Sequence, residues 1–134
     1  MGRYESASIT NGAGVGVVDE AILSELFRVI GDADPSSLRQ TCDLFLTNAP
    51  TRMADAAVAL ADGRFADAGR LAHRMKGSAG VFGACRLSGL ADRLEHACDD
   101  ADVGSGGSLL EQMTVELAAF GTILRARLVS LPSG

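Results

Sequence analysis

The residues best suited to chemistry are concentrated in one segment of the chain, where His73 has Arg70, Arg74 and Lys76 within one turn of it and Gly77 four residues on. An imidazole with a free lone pair is a nucleophile. On a helix turning about 100° per residue, Phe65, Ala68, Leu71, Ala72, Met75, Ala79 and Phe82 gather into one apolar sector. His73 projects roughly 150° from the middle of that sector, so the spacing predicts a displayed ring beside a packed Ala72. Ala66, Gly69, Gly77 and Gly80 fall within about a quarter turn of it. Glycine costs a helix about 1 kcal/mol relative to alanine, and a bare face of this kind suits the close approach of another backbone or a bulky group. No acid occurs between Ala68 and Asp92, so the ring is expected in a cationic field.

Such a field favours the neutral imidazole and attracts an incoming phosphoryl group. Lys76 lies where it can reach that group, and Gly77 leaves space for it. His96 offers a contrast, because its neighbours at helical spacing are Asp92, Asp99 and Asp100, which repel a phosphoryl donor. Other chemistries find no support. His73 has no acid within one turn on its own helix to complete a Ser-His-Asp arrangement. His73, His96 and the three cysteines form neither C-x-x-C nor H-E-x-x-H, so no metal or other bound cofactor is expected. The run Gly12-Ala13-Gly14-Val15-Gly16 lacks a preceding strand, and no G-x-x-x-x-G-K-[ST] string occurs. The wheel alone fits an ordinary surface histidine on a solvated face equally well.

The elements that must position His73 are helical. The 134 residues suffice for one domain, and 47% hydrophobic content with only 4% aromatic residues and few β-branched runs points to an all-α chain. A net charge of −5 argues against non-specific nucleic-acid binding. No apolar run is long enough for a bilayer and no secretion signal opens the chain, so a cytoplasmic protein is expected. Cys42, Cys85 and Cys98 read as reduced, small core residues. The opening Met1-Gly2-Arg3-Tyr4-Glu5-Ser6 matches the loose myristoylation pattern, a weak match in a chain with 16 glycines.

Residues 1–18 read as a flexible lead-in. Asp19 then caps a short helix from Glu20 to Ile30 with Ile22, Leu23, Leu26, Phe27 and Ile30 on one stripe, stopped by Gly31. Asp34-Pro35 opens a long helix whose stripe runs through Leu38, Cys42, Phe45, Ala49, Met53, Ala56, Ala57 and Leu60. The stripe keeps its phase across Pro50, which predicts one kinked helix to about Ala61. Asp62-Gly63 turns the chain into the His73 helix, and Gly80-Val81-Phe82-Gly83 into another running from Ala84 to about Ala101, with Leu87, Leu90, Ala91, Leu94, Cys98 and Ala101 inward. The segment Asp102 to Ser108 reads as a glycine-rich loop, and Ser108 with Glu111 as a capping box for a last helix marked by Leu110, Met113, Leu117, Phe120, Leu124 and Leu128 and ended by Pro132. The expected architecture is an antiparallel four-helix bundle over residues 19–130, with an additional short N-terminal helix and a tail at 131–134.

The string Ala72-His73-Arg74-Met75-Lys76-Gly77-Ser78-Ala79, followed by Phe82-Gly83-Ala84, Leu87, Leu94 and Glu95, resembles the histidine-containing phosphotransfer (HPt) domain of multistep two-component signalling. The likeness runs from about Asp19 to Leu128. Met75 stands where leucine is common in the family, a volume-conserving change. The resemblance implies that His73 is the phosphoacceptor, taking a phosphoryl group from an aspartyl-phosphate receiver domain and relaying it to a response-regulator receiver. Lys76 and Gly77 assist, and Mg²⁺ belongs to the receiver rather than to this chain. Implied partners are receivers and a hybrid sensor histidine kinase, met on a surface of Gly69, Arg70, Arg74 and Gly80 with Arg86 and Gly89 from the next helix. A monomeric phosphoryl carrier without ATP-dependent kinase activity is expected, with no nucleic-acid or membrane partner. The competing reading is a helical adaptor that binds receiver or kinase domains without carrying phosphate. A chemotaxis-type kinase phosphoacceptor domain would continue beyond Gly134 into kinase domains.

Overall fold

Asp19 begins the first helix by accepting hydrogen bonds from the N–H groups of Ala21 and Ile22, as an N-cap does. The structure, a computed structural model, describes residues 16–131. The myristoylation match, most of the Gly12–Gly16 run and Pro132 therefore lie outside the described residues. Helix α1 spans Glu20–Leu26 and widens into a π-helical turn at Phe27–Gly31. Gly31 is buried inside that turn rather than stopping a regular helix, because a Cβ there would meet Leu38 Cδ2 at 2.9 Å. Of the expected α1 stripe only Leu23 is fully buried, while Leu26, Phe27 and Ile30 pack partly and Ile22 is exposed. Val17 and Val18, read as lead-in, also pack against the core.

Helix α2 spans Pro35–Ala61 and is unbroken at Pro50, in line with the phase of its stripe. Asp34 accepts from the Ser37 N–H at 3.0 Å. Ala57 is a correction: it is exposed, and Ala59 takes the inward position before Leu60. Helix α3, Phe65–Val81, buries Ala68, Ala72, Met75 and Ala79, and α4 spans Cys85–Asp99. Left-handed residues end α2, α3 and α4: Gly63 at φ 76°, Gly83 at φ 75° and Ala101 at φ 53°. The α4 helix thus stops before Ala101. Gly83 has a further reason to lack a side chain, since its carbonyl accepts from Asp19 N–H at 2.7 Å and a Cβ would lie 2.8 Å from the Asp19 carbonyl oxygen.

Helix α5 spans Val103–Val129, which overturns the loop expected at Asp102 to Ser108 and the Ser108/Glu111 capping box. Asp102 is the cap, accepting from the Ser105 N–H at 3.1 Å. The glycines sit within the first turns because one of them is a packing site: a Cβ on buried Gly106 would stand 2.5 Å from Leu60 Cδ2. Close approach to Leu60 outweighs the helix penalty of glycine.

Helices α2 to α5 form a ring, with α3 between α2 and α4, and α5 between α4 and α2. The α3–α4 pair and the α2–α5 pair therefore lie on opposite sides of the bundle. Phe45 of α2 sits at its centre, 4.7 Å from Phe82 and 5.9 Å edge-on from Phe120 between ring centroids. Fully buried Leu38, Leu94, Met113, Phe120 and Leu124 complete the core, each such side chain contributing about 1.5–3 kcal/mol. Among the described residues no polar or charged side chain is buried. All three cysteines are free. Cys42 and Cys98 are core residues, and burial pushes the Cys42 thiol up to about 11. Cys85 is only half-buried, its Sγ donating to the Gly16 carbonyl at 3.2 Å.

Candidate functional site

Burial of Ala72 and Met75 fixes the rotation of α3, so His73 between them faces outward with 65% of its side chain exposed. Its Nδ1 lies 3.1 Å and 3.3 Å from the two oxygens of Glu95, which reaches across from α4. An ionised carboxylate only accepts hydrogen bonds. The contact therefore places the ring proton on Nδ1 and leaves the lone pair on Nε2. No acid lies within one turn of His73 on its own helix; the structure supplies one from the antiparallel neighbour.

Lys76, one turn further along α3, completes the cluster. Its Nζ is 3.1 Å from Asp92 Oδ1 and 3.1 Å from Glu95 Oε1. Hydrogen bonds donated to Asp92 and then to Glu95 hold the Lys76 ammonium above the usual lysine range. Partial burial pushes Glu95 up, but hydrogen bonds from Lys76 and His73, with their charges, outweigh it and the carboxyl ends below its ordinary value. Ser88 Oγ donates to the Lys76 carbonyl at 3.0 Å, pinning the two helices beside the cluster. The result is a chain of four side chains, His73–Glu95–Lys76–Asp92, across the α3–α4 seam.

The cationic field is weaker than the spacing predicts, because acids enter it from outside the window read on one helix. Arg70 pairs with Asp67, which also holds Arg64 at 3.2 Å. Lys76 is engaged by Asp92 and Glu95. Among the described residues no acid pairs with Arg74. The bare face also divides. A Cβ on Gly77 would meet nothing within 4 Å, whereas one on Gly69 would touch Cys98 Cβ at 3.6 Å and one on Gly80 would lie 3.9 Å from Ser88 Oγ. Gly77 is open space beside His73, whereas a side chain at Gly69 or Gly80 would make an ordinary contact with α4. Gly89 is likewise open, while Arg86 Nη1 lies 3.6 Å from Glu116 Oε1 of α5 and spans the α4–α5 seam. The structure thus gathers His73, Lys76 and Gly77, and does not gather Arg86 with them.

Two residues of the cluster, Glu95 and Asp92, are not marked out by the sequence, where Glu95 stands only as part of a motif and Asp92 only as a neighbour of His96. Their three-residue spacing puts them on one face of α4, and the short α3–α4 turn folds that face onto Lys76. Among the described residues no group of His, Cys, Asp or Glu is arranged to hold a metal ion, and no helix is long and apolar enough to cross a membrane.

A family model of the Hpt domain matches residues 40–123, more than half of the chain. The chain belongs to the Hpt domain family. The match takes in α3 and α4 whole, and so every member of the His73–Glu95–Lys76–Asp92 cluster. The fold of this Hpt domain is also that of histidine-containing phosphotransfer protein B from Pseudomonas aeruginosa PAO1, with a TM-score of 0.78 at 24% identity over 89% of this chain and 100% of that one. A search of curated proteins finds no match.

Proposed function

We propose that this Hpt domain is a phosphoryl carrier in a phosphorelay, accepting the group on His73 Nε2 from an aspartyl-phosphate of one receiver domain and passing it to another. The observation that carries the reading is the Glu95 carboxylate on His73 Nδ1. With the proton held there, the Nε2 lone pair attacks phosphorus, the Nε2–P bond forms, and the acyl oxygen–phosphorus bond breaks to release the aspartate carboxylate. No proton needs to leave the ring. The product is a phosphorylated imidazolium, whose positive charge lies against the Glu95 carboxylate. Transfer onward is the same step reversed on a second receiver.

Lys76 stands one turn from the ring and, released from Asp92, has the length to meet a phosphoryl oxygen. Open Gly77 admits the partner's loop carrying the aspartate. Arg74, with Gly89 across the seam, borders the same approach, and Arg70, Gly69 and Gly80 flank it. The Mg²⁺ that neutralises the phosphoryl charge belongs to the receiver. A hybrid sensor kinase supplying the first receiver, a response regulator taking the product and a cytoplasmic location complete this reading. It is tested by incubating the chain with a phosphorylated receiver domain and Mg²⁺. The expected result is an acid-labile, alkali-stable label that is absent from His73→Gln. Receiver binding without label would establish the adaptor reading instead.

A further inference from the structure

The side of the bundle opposite His73 carries a groove of about 890 Å³ between α2 and α5. Its floor is apolar, formed by Met53, Leu60, Leu110 and Leu117, and its α2 wall is built from Pro50, Ala54, Ala57 and Ala61. Side chains this small let another helix approach closely.

The α5 wall has a pattern that reads the same in both directions. On a wheel centred on Ala118, the residues Glu111, Thr114, Thr122 and Arg125 lie within about 40° of it, and all five are exposed. Thr114 and Thr122 stand four residues on either side of Ala118, and Glu111 and Arg125 seven on either side. A two-fold interface brings one surface against itself, so that residue i meets j and j meets i. An antiparallel pairing of α5 with its symmetry mate about Ala118 sets Thr114 opposite Thr122 and Glu111 opposite Arg125, twice each. Among the described residues neither Glu111 nor Arg125 has an ion-pair partner, and the Arg125 guanidinium lies along the groove over Gly121, near Leu46.

We propose that the α2–α5 face binds a second copy of this chain, with α5 of each copy seated in the groove of the other and reciprocal Glu111–Arg125 ion pairs closing its ends. Charge complementarity decides the occupant: a groove with one acid and one base at equal distances from its centre matches itself. The dimer is independent of the relay reading, because α3 and α4 face away from it and both His73 rings stay exposed. It departs from the monomer expected from the sequence.

Sedimentation equilibrium of the full chain from about 1 µM to about 1 mM spans weak to moderate association. The expected result is a rise toward twice the 13.8 kDa chain mass. Glu111→Arg, which sets like charges face to face, should weaken the dimer by at least about tenfold. The double variant Glu111→Arg/Arg125→Glu should restore it, and Ala118→Arg should abolish it with unchanged helical circular dichroism. A 13.8 kDa species throughout the range overturns the proposal, as does a dimer indifferent to these changes or a double variant that fails to recover. A monomer carrying a bound apolar small molecule in native mass spectrometry overturns it in favour of a ligand groove.

Discussion

His73 and His96 are two exposed imidazoles in one bundle, and they differ in what holds Nδ1. His73 is held by a carboxylate from the neighbouring helix, at 3.1 Å. His96 donates its Nδ1–H to the carbonyl of Asp92 on its own helix, at 2.8 Å, and that bond, with the charge of Asp92 close by, raises its pKa above the ordinary histidine value. Both arrangements leave Nε2 outward. Only at His73 does the lone pair stand beside a lysine, an open glycine and a carboxylate placed to stabilise the charge of a phosphorylated ring. At His96 the surrounding groups are Asp92, Asp99 and Glu95. On the proposed reading, exposure alone does not make a phosphoacceptor, and the neighbours across the seam separate His73 from His96.

The largest effect that separates the two is loss of transfer. His73→Gln should abolish labelling by a phosphorylated receiver, and His96→Gln should leave the rate within about twofold, since no transition-state contact is removed. Next comes Glu95→Ala, which removes the carboxylate that fixes the ring's tautomer and should slow transfer by about tenfold to a hundredfold. Because Glu95 acts through His73, the check includes the ring tautomer: nitrogen NMR should show the Nδ1–H form of His73 depleted, with partial recovery in Glu95→Gln, which keeps an acceptor. Lys76→Ala should cost about tenfold, less than a donor in a water-excluded site. Gly77→Leu should also slow transfer, while thermal unfolding shifts upward by about 0.5–1 kcal/mol, because an exposed helical glycine is replaced by a good helix former.

The smallest effects are in pH dependence, and their signs are opposite. Glu95 has a lowered folded-state pKa, so its contribution is present above the ordinary carboxylate range and is lost as pH falls through the folded value. His96 has a raised pKa, so its contribution is present below the ordinary histidine value and is lost as pH rises through the folded one. The melting difference between wild type and Glu95→Gln should shrink in acid. That between wild type and His96→Gln should shrink above neutral pH. Asp92→Asn should bring the His96 titration midpoint down, read by NMR, because it removes the charge but keeps the carbonyl.

Helix order, the turns at Gly63 and Gly83, and the rotation of α3 were legible in the sequence because each follows from periodicity or from glycine within a few residues. The α5 start was not. Gly104, Gly106 and Gly107 read locally as a loop, and only the contact of Gly106 with Leu60, far away in sequence, shows why they are helical. The site divides in the same way. His73, Lys76 and Gly77 share one helix and could be found on its wheel. Glu95 and Asp92 act across a seam, and a wheel cannot report which face of α4 meets α3. The cationic field is weaker than the spacing predicts partly for that reason, and partly because Asp67, one residue before the acid-free stretch, pairs with Arg70 on α3 itself.

The account stands most directly on where phosphorus sits. Nitrogen–phosphorus NMR of the wild-type chain, labelled with ¹⁵N in its histidines and phosphorylated by a receiver, reads this without any substitution. The account predicts coupling to Nε2 of His73, with Nδ1 still protonated against Glu95. Phosphorus on Nδ1 of His73, or on either nitrogen of His96, would contradict it.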